Sequence, residues 1–411
     1  MWSKLVAIVS LVVVSSWALP MLNRPANHAL SARPECSMNA SAAWVDVVLL
    51  IDTSSNMGSA NLRKISTVIS LVMSKFTIGN RANISAGEHN TRVAVITYDR
   101  EARIVANFTD INSLGDLSTV LNKIQVSNTA DANLYDPAIN RYISDVAPLN
   151  DGVTSAVITI NFNPSDEQLT TTLNSLSNYP FLPNVTMYNF LGNSNSLATD
   201  LSWALTQANC YCKFDDGIPL VLIDKSKNRY SRYAKCMNGG GENDPEGGMP
   251  DNYTKFCTSD GLIPLAILSQ DEENFVYNVF YYSSILYNYI GLHQDSKGNW
   301  VWYDENMKEF SSSYFNWVPG YPKNLGKCVV VDFSSDRSQG WKDADCDPQY
   351  SGYVSGLCQR GACDAESVAC GLVNLPNINL TLVEKKKRMA AYKLPQMKQF
   401  HKKNLKVVRK F

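Results

Sequence analysis

Two parts of this 411-residue chain contain residue types that bind cations or polar ligands. In Asp52–Asn56 (DTSSN), a carboxylate, hydroxyls and an amide follow an apolar run. Hard cations such as Mg²⁺ and Ca²⁺ prefer oxygen donors of these kinds. In Tyr321–Lys323 and Trp341–Asp343, aromatic rings stand beside charged side chains, a composition suited to polar ligands. We therefore expect one candidate ion site and one candidate ligand surface.

Catalytic chemistry is not indicated. The four histidines, His28, His89, His293 and His401, are far apart and lack metal-ligand spacing. No G-x-S-x-G elbow is present, and no segment combines a nucleophile, a base and an orienting group. We predict a protein that is not an enzyme and has no cofactor apart from a weak divalent cation, Mg²⁺ or Ca²⁺.

The first residues have the pattern of a secretory signal peptide. One lysine precedes the apolar run Leu5–Val14, and small residues follow up to Ala18. The run is shorter than the roughly 20 apolar residues of a transmembrane helix. We predict a signal peptide over residues 1–18, a secreted product and no transmembrane span.

Export predicts that the ten cysteines form disulfides. Cys36 stands apart, whereas the other nine lie between Cys210 and Cys370, so the disulfides concentrate in the second half. Glycosylation would suit an extracellular surface. The Asn-x-Ser/Thr acceptors are Asn39, Asn83, Asn107, Asn184, Asn252 and Asn379.

A net charge of −1 conceals a basic C-terminus. Residues 385–411 include eleven Lys/Arg and no Asp/Glu, which leaves 26 basic against 38 acidic residues elsewhere. We predict a disordered tail over residues 371–411. Its cluster Lys385–Arg388 fits a protease processing site, an anchor for anionic surfaces or a solvated charge run. Export disfavours nucleic acid as a partner.

Residues 45–208 alternate strand-like and helix-like segments. Val45–Ile51 is almost entirely apolar, as a strand covered on both faces would be. Apolar residues then recur at helical spacing from Leu62 to Phe76. Further strands are expected at Val93–Tyr98, Ile104–Phe108, Ala156–Ile160 and Val185–Phe190. This alternation predicts a doubly wound α/β sheet. Beyond Cys210 the chain is aromatic-rich and irregular, and residues 239–248 (GGGENDPEGG) indicate a loop.

The segment 45–208 resembles von Willebrand factor A domains, whose D-x-S-x-S turn binds a divalent cation. The resemblance assigns metal ligation to Asp52, Ser54, Asn56 and Asn133, with Asn161 or Asn163 where the family has an aspartate. Amides here replace a carboxylate and two hydroxyls, which weakens cation binding. The alternative is that Asp52 and Ser54 only cap the following turn or helix.

The segment 212–359 resembles C-type-lectin-like domains, an α+β fold stabilised by disulfides. Several motifs match that family in order: Tyr289-Ile290-Gly291-Leu292, Trp300-Val301-Trp302, Asn316-Trp317, Cys328, Trp341, Asp343, Cys346 and Cys358. The resemblance implies the pairs Cys257–Cys358 and Cys328–Cys346, and we expect Cys363 to pair with Cys370. The four tryptophans in these motifs are expected in the core.

Sugar binding in that family uses calcium held by a Glu-Pro-Asn or Gln-Pro-Asp triplet and a W-N-D segment. Here the two positions read Tyr-Pro-Lys and Trp-Lys-Asp. Lysines replace neutral ligands, so we predict a calcium-independent surface, with Pro322 in the cis form that shapes this loop in relatives. The ligand-binding candidates are Tyr321, Pro322, Lys323, Trp341, Lys342 and Asp343, with Asp336 and Arg337 nearby.

This combination of domains resembles the nematode family of secreted C-type lectins, which implies recognition in innate defence. We expect the partner to be a glycan, a microbial surface or an extracellular protein, with contact between the basic tail and anionic surfaces. The alternative is an extracellular matrix or adhesion protein acting through the A-type domain.

Overall fold

The structure is a computed structural model. It describes residues 8–14, 34–80, 90–133, 154–179, 182, 185–212, 217–240, 253–259, 261–280, 287–332, 340–346 and 354–366.

Strands and helices alternate through the first half, as the sequence predicts. The strands are β1 (Ile8–Val14), β2 (Asp46–Asp52), β3 (Arg92–Tyr98), β4 (Ala102–Ala106), β5 (Thr154–Asn161) and β6 (Asn189–Leu191). The helices are α1 (Gly58–Met73), α2 (Leu114–Lys123), α3 (Glu167–Leu176) and α4 (Leu197–Ala208), and a short 3₁₀ helix spans Ala40–Ala42. The sheet order is β4-β3-β2-β1-β5-β6.

Strand β2 is buried over its whole length because helices cover both faces of the sheet. Its residues alternate between two cores, as the pleat requires. Leu49 packs with α1, which buries Leu62 and Ile65. Leu50 packs on the opposite face with α3, through Leu169. This places the end of β2, and hence Asp52, at the edge of a rigid sheet.

Strand β1 lies within the predicted signal peptide. It is antiparallel to both β2 and β5, with Val9 opposite Ile51 and Ile160. The segment is rich in β-branched residues, which favour a strand when the neighbours are apolar. Strand β1 therefore lies between β2 and β5 in this sheet. Residues 1–7 and 15–18 lie outside the described part.

The second half forms a larger mixed sheet. Its strands are β7 (Ile218–Asp224), β8 (Arg229–Gly240), β9 (Ile263–Pro264), β10 (Tyr287–Gln294), β11 (Trp300–Tyr303), β12 (Glu309–Phe310), β13 (Cys328–Asp332), β14 (Trp341–Ala344) and β15 (Val354–Gly361). The helices are α5 (Tyr253–Ser259) and α6 (Gln270–Phe280). The path β12-β11-β10-β15-β8-β7 is extended by β13, which pairs with β10 and β14.

The glycine-rich segment is not wholly a loop. Gly239 and Gly240 belong to β8 and pair with Leu357 and Gly356 of β15. A Cβ on Gly239 would lie 2.9 Å from the ring of Phe280, so glycine allows the helix to pack closely on the sheet. Residues 241–248 lie outside the described part.

Four disulfides join described cysteines. They are Cys36–Cys210, Cys212–Cys236, Cys257–Cys358 and Cys328–Cys346. The last two are the pairs that the lectin resemblance implies. Cys363 is also disulfide-bonded, and its partner lies outside the described residues, as does Cys370.

The two halves are in direct contact. The indole N–H of Trp44 donates to the backbone oxygen of Asp364 at 3.0 Å. On α4, the ring of Trp203 lies 3.7 Å beneath the guanidinium of Arg229, which also pairs with Asp200. Charged and aromatic side chains thus connect the first half to the β7–β8 hairpin. Among the described residues, no helix has the length and apolar content needed to span a membrane.

Candidate functional site

The first candidate site lies where β2 ends. Asp52 is fully buried, and its Oδ1 accepts the backbone N–H of Ser54 at 2.7 Å. This Asx turn fixes the carboxylate at the carboxyl edge of the sheet. The Ser54 hydroxyl is also buried and has no hydrogen-bond partner among the described residues. An unsatisfied buried hydroxyl costs about 1 to 3 kcal/mol, so a ligand there would gain from it.

A neighbouring loop covers this turn and carries Asn133. The backbone N–H of Ser55 donates to Thr129 O at 2.7 Å, and the amide of Asn56 donates to Ala130 O at 2.9 Å. Asn133 itself is exposed. The structure therefore brings the segments of Asp52 and Asn133 together, although Asn56 already uses its amide nitrogen to hold the loop.

Asn161 forms a second Asx turn at the end of β5. Its Oδ1 accepts the backbone N–H of Asn163 at 2.8 Å, and its Nδ2 donates to Thr170 Oγ1 at 3.0 Å. These bonds tie Asn161 to α3, and β1 separates its strand from that of Asp52. Asn161 is thus engaged in local structure.

Asp99, which directly follows β3, was not among the predicted site residues. It is buried, and Arg103 binds its carboxylate at 3.0 Å. Burial opposes ionisation, but the hydrogen bond and charge of Arg103 outweigh it and lower the pKa of Asp99. Its position after a strand, like that of Asp52, is the signal that could have identified it.

The donor set does not fit a tight divalent-cation site. Asp99 adds no net negative charge because Arg103 neutralises it. Described residues elsewhere do not form a cluster of three or more His, Cys, Asp or Glu. Among the predicted ligands, Asp52 supplies a carboxylate, whereas Ser54, Asn56 and Asn133 supply neutral oxygens. A site with so few charged ligands binds divalent cations weakly.

The second candidate site is the loop between β12 and β13. Its first part pairs with β14: the backbone N–H of Trp341 donates to Asn316 O at 2.7 Å, and that of Val318 to Trp341 O at 3.0 Å. The chain then turns, and the Tyr321–Pro322 peptide bond is cis.

Asp343 fastens this loop to β14. Its carboxylate accepts the backbone N–H groups of Lys323 at 2.7 Å and Leu325 at 2.5 Å, and the residue is only 2% exposed. The backbone of Gly326 packs directly against β14, since a Cβ at this position would lie only 2.0 Å from the backbone oxygen of Ala344. The carboxylate is therefore turned into the protein, where backbone dipoles balance its charge.

Three of the predicted ligand residues form an aromatic and basic cluster. Tyr321 is half-buried, and the ammonium of Lys323 lies 4.4 Å from its ring centroid. The ammonium of Lys342 approaches the same ring at 5.8 Å. Both distances are within the range of cation–π attraction. The structure thus brings Tyr321, Lys323 and Lys342 together at the surface.

Trp341 precedes Lys342 on β14 and is fully buried. Its indole N–H donates to Glu273 on α6 at 2.9 Å. Burial raises the pKa of Glu273 to about 7. The adjacent Glu272 is also buried and forms an ion pair with Lys235. Sequence reasoning missed both carboxylates, although Glu272 shares a helical face with the apolar residue Val276.

The other predicted residues are more widely distributed. Trp302 is buried, and its ring packs edge-on against Trp341. Trp317 is half-buried between Trp341 and the half-buried Trp300, with a ring contact to each. Asn39 and Asn107 are exposed, as glycosylation requires. Asn83, Asn184, Asn252, Asn379, Asp336, Arg337 and residues 371–411 lie outside the described residues.

Two domain families match this chain. The von Willebrand factor type A domain family matches residues 46–178, and the lectin C-type domain family matches residues 251–354. C-type lectin domain-containing protein 160 of Caenorhabditis elegans is 20% identical in an alignment of 389 residues, and the match covers 81% of this chain. The chain spans 55% of the length of that relative.

Solved C-type lectin structures also match the chain. Human lithostathine is 25% identical and covers 31% of this chain and 84% of its own, with a TM-score of 0.25. The lectin SPL-2 of Saxidomus purpuratus is 19% identical, with coverages of 31% and 86% and a TM-score of 0.24. The two family matches show the domain content: the chain carries a von Willebrand factor type A domain followed by a C-type lectin domain.

Proposed function

We propose that this chain is a secreted recognition protein whose lectin domain binds a glycan, a microbial surface or an extracellular protein without calcium. The observation that carries the proposal is that the carboxylate of Asp343 is buried and hydrogen-bonded to the backbone of the loop. Both of its carboxylate oxygens accept backbone N–H groups of the loop, and the side chain is buried. The negative charge therefore stabilises the loop from within.

The neighbouring residues also disfavour a calcium bridge. Calcium requires six to eight oxygen ligands. Lys323 and Lys342 instead bring positive charge to both segments that would have to supply those ligands. The loop keeps its shape through Asp343 and Gly326 and through backbone hydrogen bonds between its first part and Trp341 of β14. A ligand would then be recognised directly by side chains.

The disulfides and the leader-like N-terminus support an extracellular location. Both domain families consist of binding modules, and we propose that the protein has no enzymatic activity and acts in innate defence. The basic residues after Lys385 would add contact with anionic surfaces.

Binding to an array of glycans, microbial surfaces and extracellular proteins, with and without EDTA, tests this function. The full-length secreted protein should bind one class of target equally in both conditions, and Tyr321→Ala should weaken that binding. Tyr303→Ala is the matched aromatic control, since Tyr303 lies on β11 and stacks on His293. Absence of binding to every target, or complete loss in EDTA, would overturn the proposal.

A second candidate function is adhesion through the A-type domain. The observation that favours it is the buried, unsatisfied Ser54 hydroxyl beside Asp52. A weakly held Mg²⁺ would use these two oxygens and would supply a positive charge for an acidic group of a protein partner. Titration calorimetry with Mg²⁺ should give a saturable heat that Ser54→Ala removes. If no heat is detected, the ion-dependent form of this function is excluded.

A further inference from the structure

An exposed methionine lies at the junction between the two domains. Met38 is 47% exposed and ends a short N-terminal arm, residues 34–38. The disulfide Cys36–Cys210 fixes this arm beside the end of α4. The backbone oxygen of the first arm residue also accepts the N–H of Ala234 on β8 at 2.7 Å. Met38 therefore stands on a fixed backbone and remains open to solvent.

The sulfur of Met38 lies against the side-chain amide of Gln207 on α4. The amide oxygen accepts the backbone N–H of Arg232 on β8 at 2.5 Å, and this bond turns the amide nitrogen toward Met38. That nitrogen is 3.8 Å from the sulfur, its only acceptor among the described residues. The hydroxyl of Thr206 also lies 3.4 Å from the sulfur, but its single proton has a closer acceptor, Trp203 O, at 2.8 Å. Gln207 is only 4% exposed, so a buried N–H donor faces a thioether, which is a weak acceptor.

Oxidation of the sulfur would supply a stronger acceptor. The sulfur lone pair attacks hydrogen peroxide, the O–O bond breaks, and the second oxygen leaves as water while the thioether becomes a sulfoxide. A sulfoxide oxygen stands about 1.5 Å from its sulfur, and an N–H···O hydrogen bond spans about 2.9 Å. When these two bonds meet at a bent angle, sulfur and nitrogen are about as far apart as the 3.8 Å observed between Met38 and Gln207. A sulfoxide oxygen therefore fits at the present spacing.

Met38 differs from the methionines of the core. Met57, Met73 and Met237 are each 1% exposed or less. A polar oxygen added at such positions would have to be buried without a prepared partner, which is unfavourable. At Met38, access for an oxidant and a waiting N–H donor occur together.

We propose that Met38 is a site of oxidation by hydrogen peroxide and that its sulfoxide fastens the N-terminal arm to Gln207. Because Gln207 also accepts from Arg232 of β8, the added bond stabilises the contact between the arm, α4 and the lectin domain. Oxidation at this position strengthens the junction. Peroxide gives both sulfoxide epimers, and the epimer whose oxygen faces Gln207 forms the bond.

Brief treatment of the full-length secreted protein with hydrogen peroxide, followed by peptide mass spectrometry, tests the site of oxidation. The peptide that contains Met38 should gain one oxygen about fivefold or more faster than the peptides that contain Met57 and Met73, because oxidation follows exposure. Oxidation of Met38 at the rate of these buried methionines would refute the assignment.

Thermal unfolding of the treated protein tests the effect on the junction. Peroxide should raise the unfolding temperature of the wild type but not that of Met38→Leu, which has no sulfur at this position. Met38→Gln carries an amide oxygen near the position of the sulfoxide oxygen in every molecule, and it should unfold about 1 to 3 °C above Met38→Leu. The matched control is Met307→Leu, which removes a half-buried methionine elsewhere and should respond to peroxide as the wild type does.

A change in Gln207 separates the proposed hydrogen bond from a general effect of polarity. Gln207→Glu keeps an oxygen for Arg232 and removes the amide N–H. In that background, Met38→Gln should lose its advantage over Met38→Leu. An advantage that persists without the N–H, or a lower unfolding temperature after oxidation of Met38, would overturn the proposal. These measurements involve no ligand, so their outcome is independent of the proposed function.

Discussion

The carboxylate of Asp343 accepts the backbone N–H of Lys323 at 2.7 Å, across 20 residues of sequence. A second bond from Leu325 occupies the other oxygen. Through these bonds, one side chain of β14 determines where the loop lies and how Lys323 faces Tyr321. The loop is thus organised by an internal carboxylate.

Replacing Asp343 with asparagine should loosen the loop. The amide can accept one of the two N–H groups well but presents an NH₂ group to the other. Loss of a buried charge-assisted hydrogen bond costs about 1 to 3 kcal/mol, and we expect the free energy of unfolding in urea to fall by that amount. Glu366→Gln, which removes one carboxylate charge at an exposed position outside any helix, should alter it by less than about 0.5 kcal/mol. Equal stability of Asp343→Asn and wild type would refute the role given to the carboxylate.

Glu273 should make the stability depend on pH. Burial raises the pKa of Glu273 to about 7, above the value of 4.5 for an unperturbed glutamate. The folded protein therefore prefers the protonated form, and this contribution is complete below about pH 4.5 and is lost as the pH rises through 7.

Glu273→Gln mimics the protonated form and can still accept from Trp341. Relative to the wild type, the variant should gain roughly 2 to 3 kcal/mol of stability between pH 5 and pH 8. Urea unfolding at both pH values measures this difference. A difference that does not change with pH would show that Glu273 does not titrate in this range.

The disulfide Cys36–Cys210 should stabilise the junction between the domains. It closes a loop with a sequence separation of 174. Removal of such a bond typically costs about 2 to 5 kcal/mol. The double variant Cys36→Ser, Cys210→Ser should unfold at a lower temperature than the wild type. The double variant Cys212→Ser, Cys236→Ser removes a disulfide with a sequence separation of only 24, and its unfolding temperature should fall by less. The reverse order would contradict this account of the junction.

Cleavage of the predicted signal peptide would change the sheet of the A-type domain. Mass spectrometry of the secreted protein is expected to find a mature N-terminus just after Ala18. Strand β1 would then be absent, and β2 and β5 would be the strands on either side of its position. A secreted protein that still contains Ile8–Val14 would show that this strand belongs to the mature fold.

Local patterns predicted much of the fold. The apolar strand and the helical spacing after it indicated β2 and α1, and the strand begins and ends one residue later than the predicted Val45–Ile51. The strand expected at Val185–Phe190 is instead the short β6, Asn189–Leu191, and Thr186 forms an isolated bridge with Asn178. Short strands are defined by their partners, which sequence periodicity does not reveal.

The site was only partly predictable for the same reason. Motif order identified Tyr321, Lys323 and Lys342, but their shared ring contact depends on a fold that brings the loop and β14 together. The roles of Asp343 and Glu273 depend on burial and on partners 18 to 68 residues away. These roles depend on tertiary packing. From the sequence alone, Asp343 and Glu273 look like ordinary charged surface residues.

Calcium titration calorimetry on a full-length chain carrying Asp52→Asn tests the calcium independence of the lectin domain most directly. The substitution removes the carboxylate of the A-type site while its amide oxygen can still accept from Ser54. If this variant still gives heat with calcium, adding Asp343→Asn to it shows whether that heat comes from the lectin domain. We predict no saturable heat up to millimolar calcium. A one-site isotherm that disappears when Asp343 is also replaced would contradict the account.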